Sequence, residues 1–356
     1  MKKTFGVCII GTGWGRYLGK HLRQLHDGPL YVCGREMKKT VRIGKALSAA
    51  DCFLGWESAV RDPRVDAVVL ALPHDVHECV ALAALRSGKH VFVEKPIATS
   101  LKGVDAMISA AAASAVVLAV GENVPFRRDL QLAKSLLPQI GPIRAIHTTS
   151  LNRGTPSGWR CSQERMGGGI LIDFGIHHVR AIRTLLGEPD QVHASIAPQV
   201  IRDMDGEDNV TVLLRGDHWQ ATLRLGWAAD VGEYSEYLII GERGAVKLQP
   251  DGRTVSLYPA SGTWRSRLVS SLRPSWLQER LRHPEMGRQR IRVHGDVLGY
   301  RACLQQFLNL MNVGRVSIES AEEARRDLAV ILEAYTSIET GAPVNITPIR
   351  AFAPSG

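Results

Sequence analysis

Strand-like and helix-like segments alternate strictly through the first 120 residues. The predicted strands are residues 5–10, 30–33, 67–71, 90–93 and 116–120, and the predicted helices are residues 17–25, 38–47, 77–87 and 101–113. Strands that alternate with helices connect through right-handed crossovers and form a parallel sheet with helices on both faces. The pattern therefore predicts an α/β protein that begins with a doubly wound domain over residues 1–123.

From about residue 143 the pattern changes to longer strands in which apolar and polar positions alternate. The predicted strands are residues 143–149, 191–196, 209–214, 220–226, 236–240 and 246–249, with helices at 169–186, 298–312 and 321–340. Turn sequences at residues 215–217 and 241–244 predict antiparallel hairpins. Residues 124–356 are therefore predicted to form an α+β domain on a large, mostly antiparallel open sheet.

The composition is that of an ordinary globular protein. Of 356 residues, 45% are hydrophobic and 22% are charged, and no apolar run is long and bulky enough to predict a membrane span. The apolar stretch near the start breaks at Gly11 without a cleavage-type site, so it predicts a buried strand rather than a signal peptide. The six cysteines contain no Cys-x-x-Cys pair. They favour a reducing cytoplasm over a zinc cluster or disulfide framework.

Much of the net charge of +9 is concentrated in one segment. Between Arg265 and Arg292 there are eight arginines against Glu279 and Glu285. The rest of the chain is only mildly basic, so we expect no nucleic-acid partner. We interpret this segment as an insertion at about residues 260–295. An interface or lid arm is the first interpretation, and membrane-surface association or recognition of an anionic substrate or polymer are the alternatives.

A glycine-rich turn directly follows the first predicted strand and opens a helix. Gly11 would permit the tight turn, and Gly13 would let the backbone approach a pyrophosphate at the helix N-terminus. Arg16 departs from the dinucleotide fingerprint, which has Gly or Ala there. The motif predicts a dinucleotide-binding Rossmann domain, and a simple glycine turn is the alternative.

The end of the second strand indicates which dinucleotide binds. An NAD site usually places an acidic residue here for the ribose hydroxyls, whereas this chain has Gly34 and Arg35. Arg35, together with Lys38 or Lys39, could pair with a 2′-phosphate. NADP(H) is therefore favoured, and NAD(H) remains possible because Glu36 could still reach the ribose.

A lysine follows the fourth predicted strand, where open α/β sheets bind ligands. Pro96 disfavours helical conformation at Lys95, and a cis Lys95–Pro96 bond would direct the ammonium towards the crevice. The alternative is a surface turn without function.

The most informative segment contains three consecutive glycines followed by a helix. Gly167, Gly168 and Gly169 allow close approach to a flat group, and the helix places Asp173 and His177 one turn apart on one face. A carboxylate beside an imidazole is the arrangement of a general base. His178 points about 100° away on a helix and is interpreted as structural.

The same residues have two alternative interpretations. The Asp173–His177 pair could be buried and only stabilise its helix. A metal site could be formed by Asp173 and His177 with His74 or His77. We favour the general base and expect no resident metal.

In sequence order, the glycine motif, Glu94-Lys95-Pro96 and the segment from Gly167 to His177 resemble the family of glucose-fructose oxidoreductase, inositol 2-dehydrogenase and MocA. The resemblance covers essentially the whole chain, including its end from Arg326 to Val344. Members are mostly NAD(P)-dependent dehydrogenases or reductases of sugars, sugar derivatives and cyclitols. They are usually dimers or tetramers assembled through the open sheet of the second domain.

The resemblance implies a set of site residues. Its catalytic residues match Lys95, Asp173 and His177. The predicted cofactor-binding residues are Gly11, Thr12, Gly13, Trp14, Gly15, Gly34, Arg35, Leu72, Pro73, His77, Glu94, Lys95, Asn123, Trp159 and Arg160. The chain departs from the family pattern at residues 124–128 in the substrate wall, and at Arg180, where an acidic residue is usual.

The predicted function is hydride transfer between a nicotinamide and a secondary alcohol or ketone of a sugar, sugar derivative or cyclitol. His177 would take the hydroxyl proton, and Asp173 would orient the His177 ring and stabilise its protonated form. Lys95 would donate a hydrogen bond to the developing oxyanion. The alternatives are oxidation-initiated glycoside cleavage and a non-catalytic NAD(P)-sensing regulator. The expected partners are a small sugar or cyclitol and further copies of the chain in a homo-oligomer.

Overall fold

The computed structural model describes residues 4–228, 232, 234–259, 288–314 and 316–347. Most of the predicted basic insertion lies outside these ranges, and only its end, from Arg288 onward, is described. The interpretations of the segment from Arg265 to Arg292 therefore stay predictions. Within the described ranges, no helix is long and apolar enough to cross a membrane.

The first sheet contains six parallel strands among the described residues. Its strands are β1 (Val7–Ile10), β2 (Leu30–Gly34), β3 (Asp51–Leu54), β4 (Ala67–Leu70), β5 (His90–Val93) and β6 (Leu118–Val120), and its helices are α1 (Gly15–Leu25), α2 (Met37–Ala46), α3 (Trp56–Arg61), α4 (His77–Arg86) and α5 (Leu101–Ala113). The spatial order is β3-β2-β1-β4-β5-β6, which confirms the doubly wound Rossmann prediction. In this order a ligand crevice lies at the carboxyl ends of β1 and β4. The sequence pattern does not predict β3, because only Phe53 of its four residues is buried.

The second sheet contains nine strands among the described residues. They are β7 (Ile143–Leu151), β8 (Gln191–Ile196), β9 (Asn209–Arg215), β10 (Gln220–Gly226), β11 (Tyr234–Gly241), β12 (Gly244–Leu248), β13 (Thr254–Pro259), β14 (Gln289–Arg292) and β15 (Val344–Asn345), in the spatial order β14-β13-β12-β11-β7-β10-β9-β8-β15. Strands β7 and β10 pair in parallel, and the other pairs are antiparallel. Both predicted hairpins, β9–β10 and β11–β12, form. The mostly antiparallel sheet is therefore confirmed.

Within the part of the chain that the structure describes, five further helices follow β6. They are α6 (Arg128–Ile140), the short α7 (Gln163–Met166), α8 (Ile176–Leu186), α9 (Tyr300–Val313) and α10 (Glu319–Thr340), and a π-helical turn, Leu171–Gly175, leads directly into α8. The sequence pattern does not predict α6, whose interior Pro138 is unfavourable in a helix.

The two faces of the first sheet belong to different cores. On one face, Val7 and Ile9 of β1 cluster with α1 and with Phe307 of α9, and Phe307 lies 5.6 Å from Phe92 of β5 between ring centroids. The residues of the opposite face join a core that continues into the second sheet. Helix α9 therefore completes the first domain, although it follows the second sheet in sequence.

Candidate active site

The glycine turn after β1 is shaped for close approach to a ligand. Gly11 has a φ of 119°, and a Cβ there would lie 2.1 Å from the carbonyl oxygen of Ala71, so only glycine fits. A Cβ on Gly13 would enter open space. Helix α1 has no side-chain cap and no acidic residue in its first turn. Its N–H groups and positive dipole end are therefore available to an anion.

Two other glycines bring α1 close to β1. A Cβ on Gly15 would lie 2.8 Å from Ile9, and one on Gly19 would lie 2.7 Å from the same side chain. Close helix–strand packing is the role of the third fingerprint glycine. The absence of glycine at Arg16 is therefore compensated within the same helix.

The end of β2 requires glycine for a packing reason. A Cβ on Gly34 would lie 2.3 Å from Thr40 Oγ1 and 2.7 Å from Thr12 Cγ2. Arg35 and the two lysines at the start of α2 are exposed beside this position. The predicted phosphate-binding cations therefore lie at the surface next to the glycine turn.

Lys95 follows β5, and its side chain reaches the π-helical turn Leu171–Gly175. The Lys95–Pro96 peptide bond is cis. Lys95 Nζ donates to Asp173 Oδ1 at 2.9 Å and also to the Asp173 carbonyl oxygen. The two predicted catalytic residues thus form a salt bridge that is nearly closed to solvent.

Asp173 is held by three cationic or donor groups. Besides Lys95, His74 Nε2 lies 3.5 Å from Oδ1, and Arg160 Nε donates to Oδ2 at 3.3 Å. Burial opposes ionisation, yet Lys95, His74 and Arg160 together hold the pKa of Asp173 well below its usual value. Trp159 packs against His74 at 4.6 Å between ring centroids and lies beneath the Arg160 guanidinium. Both Asp173 oxygens are therefore occupied.

The carboxylate partner of His177 is Glu122, and the predicted Asp173–His177 hydrogen bond is wrong. His177 Nδ1 lies 2.8 and 2.9 Å from the two Glu122 carboxylate oxygens. The π-helical turn changes the helical register at Asp173, whose side chain contacts Lys95 instead. Sequence reasoning missed Glu122. Its available signal was its place two residues after β6, at the same edge of the sheet as Lys95.

The three glycines lie directly against protein groups. A Cβ on Gly168 would lie 1.9 Å from the Tyr335 hydroxyl oxygen, and one on Gly169 would lie 2.2 Å from the Glu207 carbonyl oxygen. Tyr335 donates to Glu207 Oε1, which also accepts from the Leu171 N–H. The flat group expected from the sequence is therefore the Tyr335 ring of α10.

The loop after β4 is supported by His77. Its imidazole is fully buried, with Nδ1 2.8 Å from the Pro96 carbonyl oxygen and Nε2 2.9 Å from the Leu72 carbonyl oxygen. Burial lowers the pKa of His77 to about 4. Leu72 and Pro73 are half-buried beside it. The side chain of His77 thus links the loops after β4 and β5. Its predicted role in cofactor binding would be indirect, through the position of the loop after β4.

Two more predicted cofactor-binding residues, Glu94 and Asn123, place buried polar groups at the crevice. Glu94 is buried and accepts a hydrogen bond from Trp14 Nε1 at 3.1 Å, and burial raises its pKa to about 7. Asn123 Nδ2 donates to the Leu298 carbonyl oxygen, while its buried Oδ1 has no partner among the described residues. Both side chains belong to loops at the carboxyl edge of the first sheet.

Arg180, at the position where the resemblance leads one to expect an acidic residue, forms a buried ion pair. Its Nε donates to Asp327 Oδ2 at 2.6 Å, and Arg183 donates to the other oxygen of the same carboxylate. Asp327 and both arginines are almost fully buried. The pairs fix α8, the helix that carries His177, to α10.

The metal-site alternative finds no matching geometry in the described residues. His74 and His77 each have ring nitrogens directed at backbone carbonyls, and no group of three or more potential ligand side chains there could hold a metal ion. We therefore base no step on a metal.

Together, these features define a class of protein. A Rossmann sheet with a glycine turn, and a lysine and a histidine at its carboxyl edge, are typical of oxidoreductases that bind a nicotinamide dinucleotide. A family model described as an oxidoreductase family with an NAD-binding Rossmann fold matches residues 5–122, and the GFO/IDH/MocA C-terminal domain matches residues 132–247. The chain belongs to the GFO/IDH/MocA family of oxidoreductases.

Individual relatives agree with this assignment. A protein of Amycolatopsis mediterranei, proposed to be a UDP-kanosamine synthase oxidoreductase subunit, is 32% identical over 63% of this chain and 68% of its own. The scyllo-inositol 2-dehydrogenase (NADP(+)) IolU of Bacillus subtilis is 29% identical over 61% and 68%. The crystal structure of GenD2 from gentamicin A biosynthesis, in complex with NAD, has 24% identity, covers 97% of each chain and gives a TM-score of 0.80. The last comparison shows the shared fold.

Proposed function

We propose that this protein is an NAD(P)-dependent dehydrogenase or reductase of a secondary alcohol or ketone in a sugar, sugar derivative or cyclitol. The observation that carries the proposal is that Lys95, at the end of strand β5, pairs with Asp173 in the π-helical turn that leads directly into α8, the helix that carries His177. Lys95 is held by the buried carboxylate of Asp173, and His177 is held by that of Glu122. A protein that only binds a dinucleotide has no need of this arrangement.

Several features of the crevice fit a nicotinamide dinucleotide. The space beside Gly13 and the uncapped start of α1 suit a pyrophosphate. The buried, unpartnered Oδ1 of Asn123 offers an acceptor to a ligand N–H or hydroxyl group. When bound, the nicotinamide would supply or accept the hydride.

The chain's own residues would manage the proton and the developing charge. In the direction of oxidation, His177 would accept the substrate hydroxyl proton through Nε2, because its Nδ1 is already engaged by Glu122. Lys95 would donate a hydrogen bond to the substrate oxygen as negative charge develops there. Asp173 orients the Lys95 ammonium, and Arg160 and His74 keep Asp173 ionised. In reduction, the same residues would act in the reverse order.

The relatives support the substrate class. One is named for a nucleotide-sugar pathway step and one for a cyclitol dehydrogenase, and both substrates carry secondary alcohols on a ring. We propose the same class of substrate here.

A panel of sugars, sugar nucleotides and inositols tests the activity. We expect at least one member to give cofactor-dependent absorbance change at 340 nm, with stoichiometric oxidation or reduction of the ring alcohol or ketone. Release of an aglycone from glycoside substrates would instead favour oxidation-initiated cleavage. Tight cofactor binding with no turnover on any member would favour the regulator.

For the cofactor, we propose a preference for NADP(H) over NAD(H). Gly34 leaves no acidic side chain at the ribose position, and the exposed Arg35 is placed beside it. A charged hydrogen bond is worth about 1.5 to 3 kcal/mol. Arg35→Ala should therefore lower kcat/KM for NADP(H) by about tenfold or more and leave the value for NAD(H) nearly unchanged.

Lys45→Ala is the matched control, because it removes the same charge from an exposed position near the far end of α2. It should leave both values unchanged. Equal use of the two cofactors by the wild type, together with an indifferent Arg35→Ala variant, would contradict the proposed preference.

We also propose a homo-oligomer in a reducing cytoplasm. The outer face of the second sheet supports assembly, since Leu238 and Ile240 of β11 remain only partly buried there. All six cysteines lie within the described residues and are free thiols, which supports a reducing compartment.

A further inference from the structure

We infer that Glu122 is the positioning residue of the general base: it fixes the tautomer of His177 and stabilises the protonated imidazole during turnover. This inference rests on the proposed function, because it assigns a role in that reaction. It goes beyond the residues implied by sequence resemblance, which name only Asp173 beside His177.

The geometry of Glu122 is that of a carboxylate committed to one imidazole. Both of its oxygens lie within 2.9 Å of His177 Nδ1, and Oε1 also accepts the Val124 N–H at 3.0 Å. A carboxylate can only accept when ionised, so Nδ1 carries the hydrogen. The neutral ring then keeps Nε2 unprotonated, as a base must be.

Burial makes this contact strong. Glu122 is 5% exposed. Burial alone would raise its pKa, but His177, Arg180 and the Val124 N–H lower it to about 2. Glu122 is therefore ionised across the pH range in which enzymes are assayed. Its charge acts on His177 in a low-dielectric setting.

Other titratable groups also face Glu122 from every element around it. They are Glu94, Arg127, His177, His178, Arg180, Tyr237, Tyr300, Cys303 and Asp327. Among the cations, Arg127 is paired with Asp129 and Arg180 with Asp327. Of these groups, His177, once it has accepted a proton, is therefore the cation that pairs directly with Glu122.

Asp173 cannot supply the same stabilisation. Oδ1 faces Lys95 and His74, and Oδ2 faces Arg160. The two carboxylates therefore have different roles. Asp173 orients the Lys95 ammonium that would donate to the substrate oxygen, and Glu122 orients the His177 imidazole that would accept the proton.

Glu122→Gln tests this role, because glutamine keeps the shape and removes the charge. With the best substrate of the panel, we expect kcat to fall at least tenfold while KM changes less than about threefold. Glu122→Asp keeps the charge and should recover part of kcat.

Glu207→Gln is the matched control. Glu207 is a half-buried glutamate near the helix that carries His177, but its carboxylate contacts Tyr335 and the Leu171 N–H rather than His177. Glu207→Gln should lower the melting temperature and leave kcat nearly unchanged. If Glu122→Gln lowers kcat no more than Glu207→Gln does, the positioning role is wrong.

A spectroscopic readout separates this inference from the proposed function. Long-range ¹H–¹⁵N spectra of histidine side chains report the tautomer without any turnover, and His177→Gln identifies the His177 signals. The wild type should show the Nδ1–H tautomer at neutral pH, and Glu122→Gln should show a mixture. A wild-type Nε2–H tautomer would overturn the inference even if the enzyme is active, whereas a panel without turnover would overturn the proposed function alone.

Discussion

Replacing either His177 or Lys95 by alanine is expected to lower kcat by at least about 10²-fold, the usual contribution of a positioned acid or base. The two side chains act on the same proton and oxygen in one event, so the double variant should be little worse than either single variant. Cofactor binding, measured by nicotinamide fluorescence, should stay near the wild-type value. Steady-state kinetics of the three variants measure this directly.

His218→Ala and Lys102→Ala serve as controls, because both residues are exposed and lie outside the crevice. Both should retain wild-type turnover. Near-normal turnover in His177→Ala, or losses in the single variants that simply multiply in the double variant, would remove the catalytic assignment and favour the regulator.

Asp327→Asn is expected to reduce the free energy of unfolding by about 3 kcal/mol or more, because it leaves buried positive charge uncompensated. Arg180 and Arg183 both donate to the Asp327 carboxylate, and all three side chains are nearly inaccessible to solvent. Glu323 lies close to Arg183 and offsets part of the loss there. Urea unfolding followed by fluorescence gives the change.

An exposed ion pair provides the control for this measurement. Asp51 pairs with Arg64 at 3.1 Å, and both side chains are about half exposed to solvent. Pairs of this kind contribute little, so Asp51→Asn should leave stability unchanged. An Asp327→Asn variant as stable as this control would show that the buried arginines find other partners.

Local pattern was sufficient to predict most of the architecture. Buried strands such as β1 and β4 are continuous apolar runs, and the hairpin turns of the second sheet contain the expected glycines. Lys95 could be placed at the crevice from its position after a strand. Edge strand β3 could not be predicted, because one buried residue in four produces no periodic pattern.

The partners of the site residues depended on tertiary contacts. An ideal α-helix would place Asp173 beside His177, but the π-helical turn changes that register. Glu122 comes from the loop after β6, 55 positions earlier in the chain. Likewise, the glycines at 168 and 169 are explained by Tyr335 and Glu207, which are distant in sequence. Spacing along the chain therefore predicted that Lys95, Asp173 and His177 lie near the crevice more reliably than it predicted which side chains they contact.

Helix α9 has a consequence for how the chain is made. During synthesis the six strands of the first sheet leave the ribosome long before Cys303, Leu304 and Phe307, which cover part of one face of that sheet. Until then, the apolar residues of β1 and β5 on that face lack their final cover. The nascent first domain is therefore incomplete until residues 303–307 have been synthesised. A fragment ending after β6 would expose apolar surface and need a chaperone or a supplied α9 peptide to avoid aggregation.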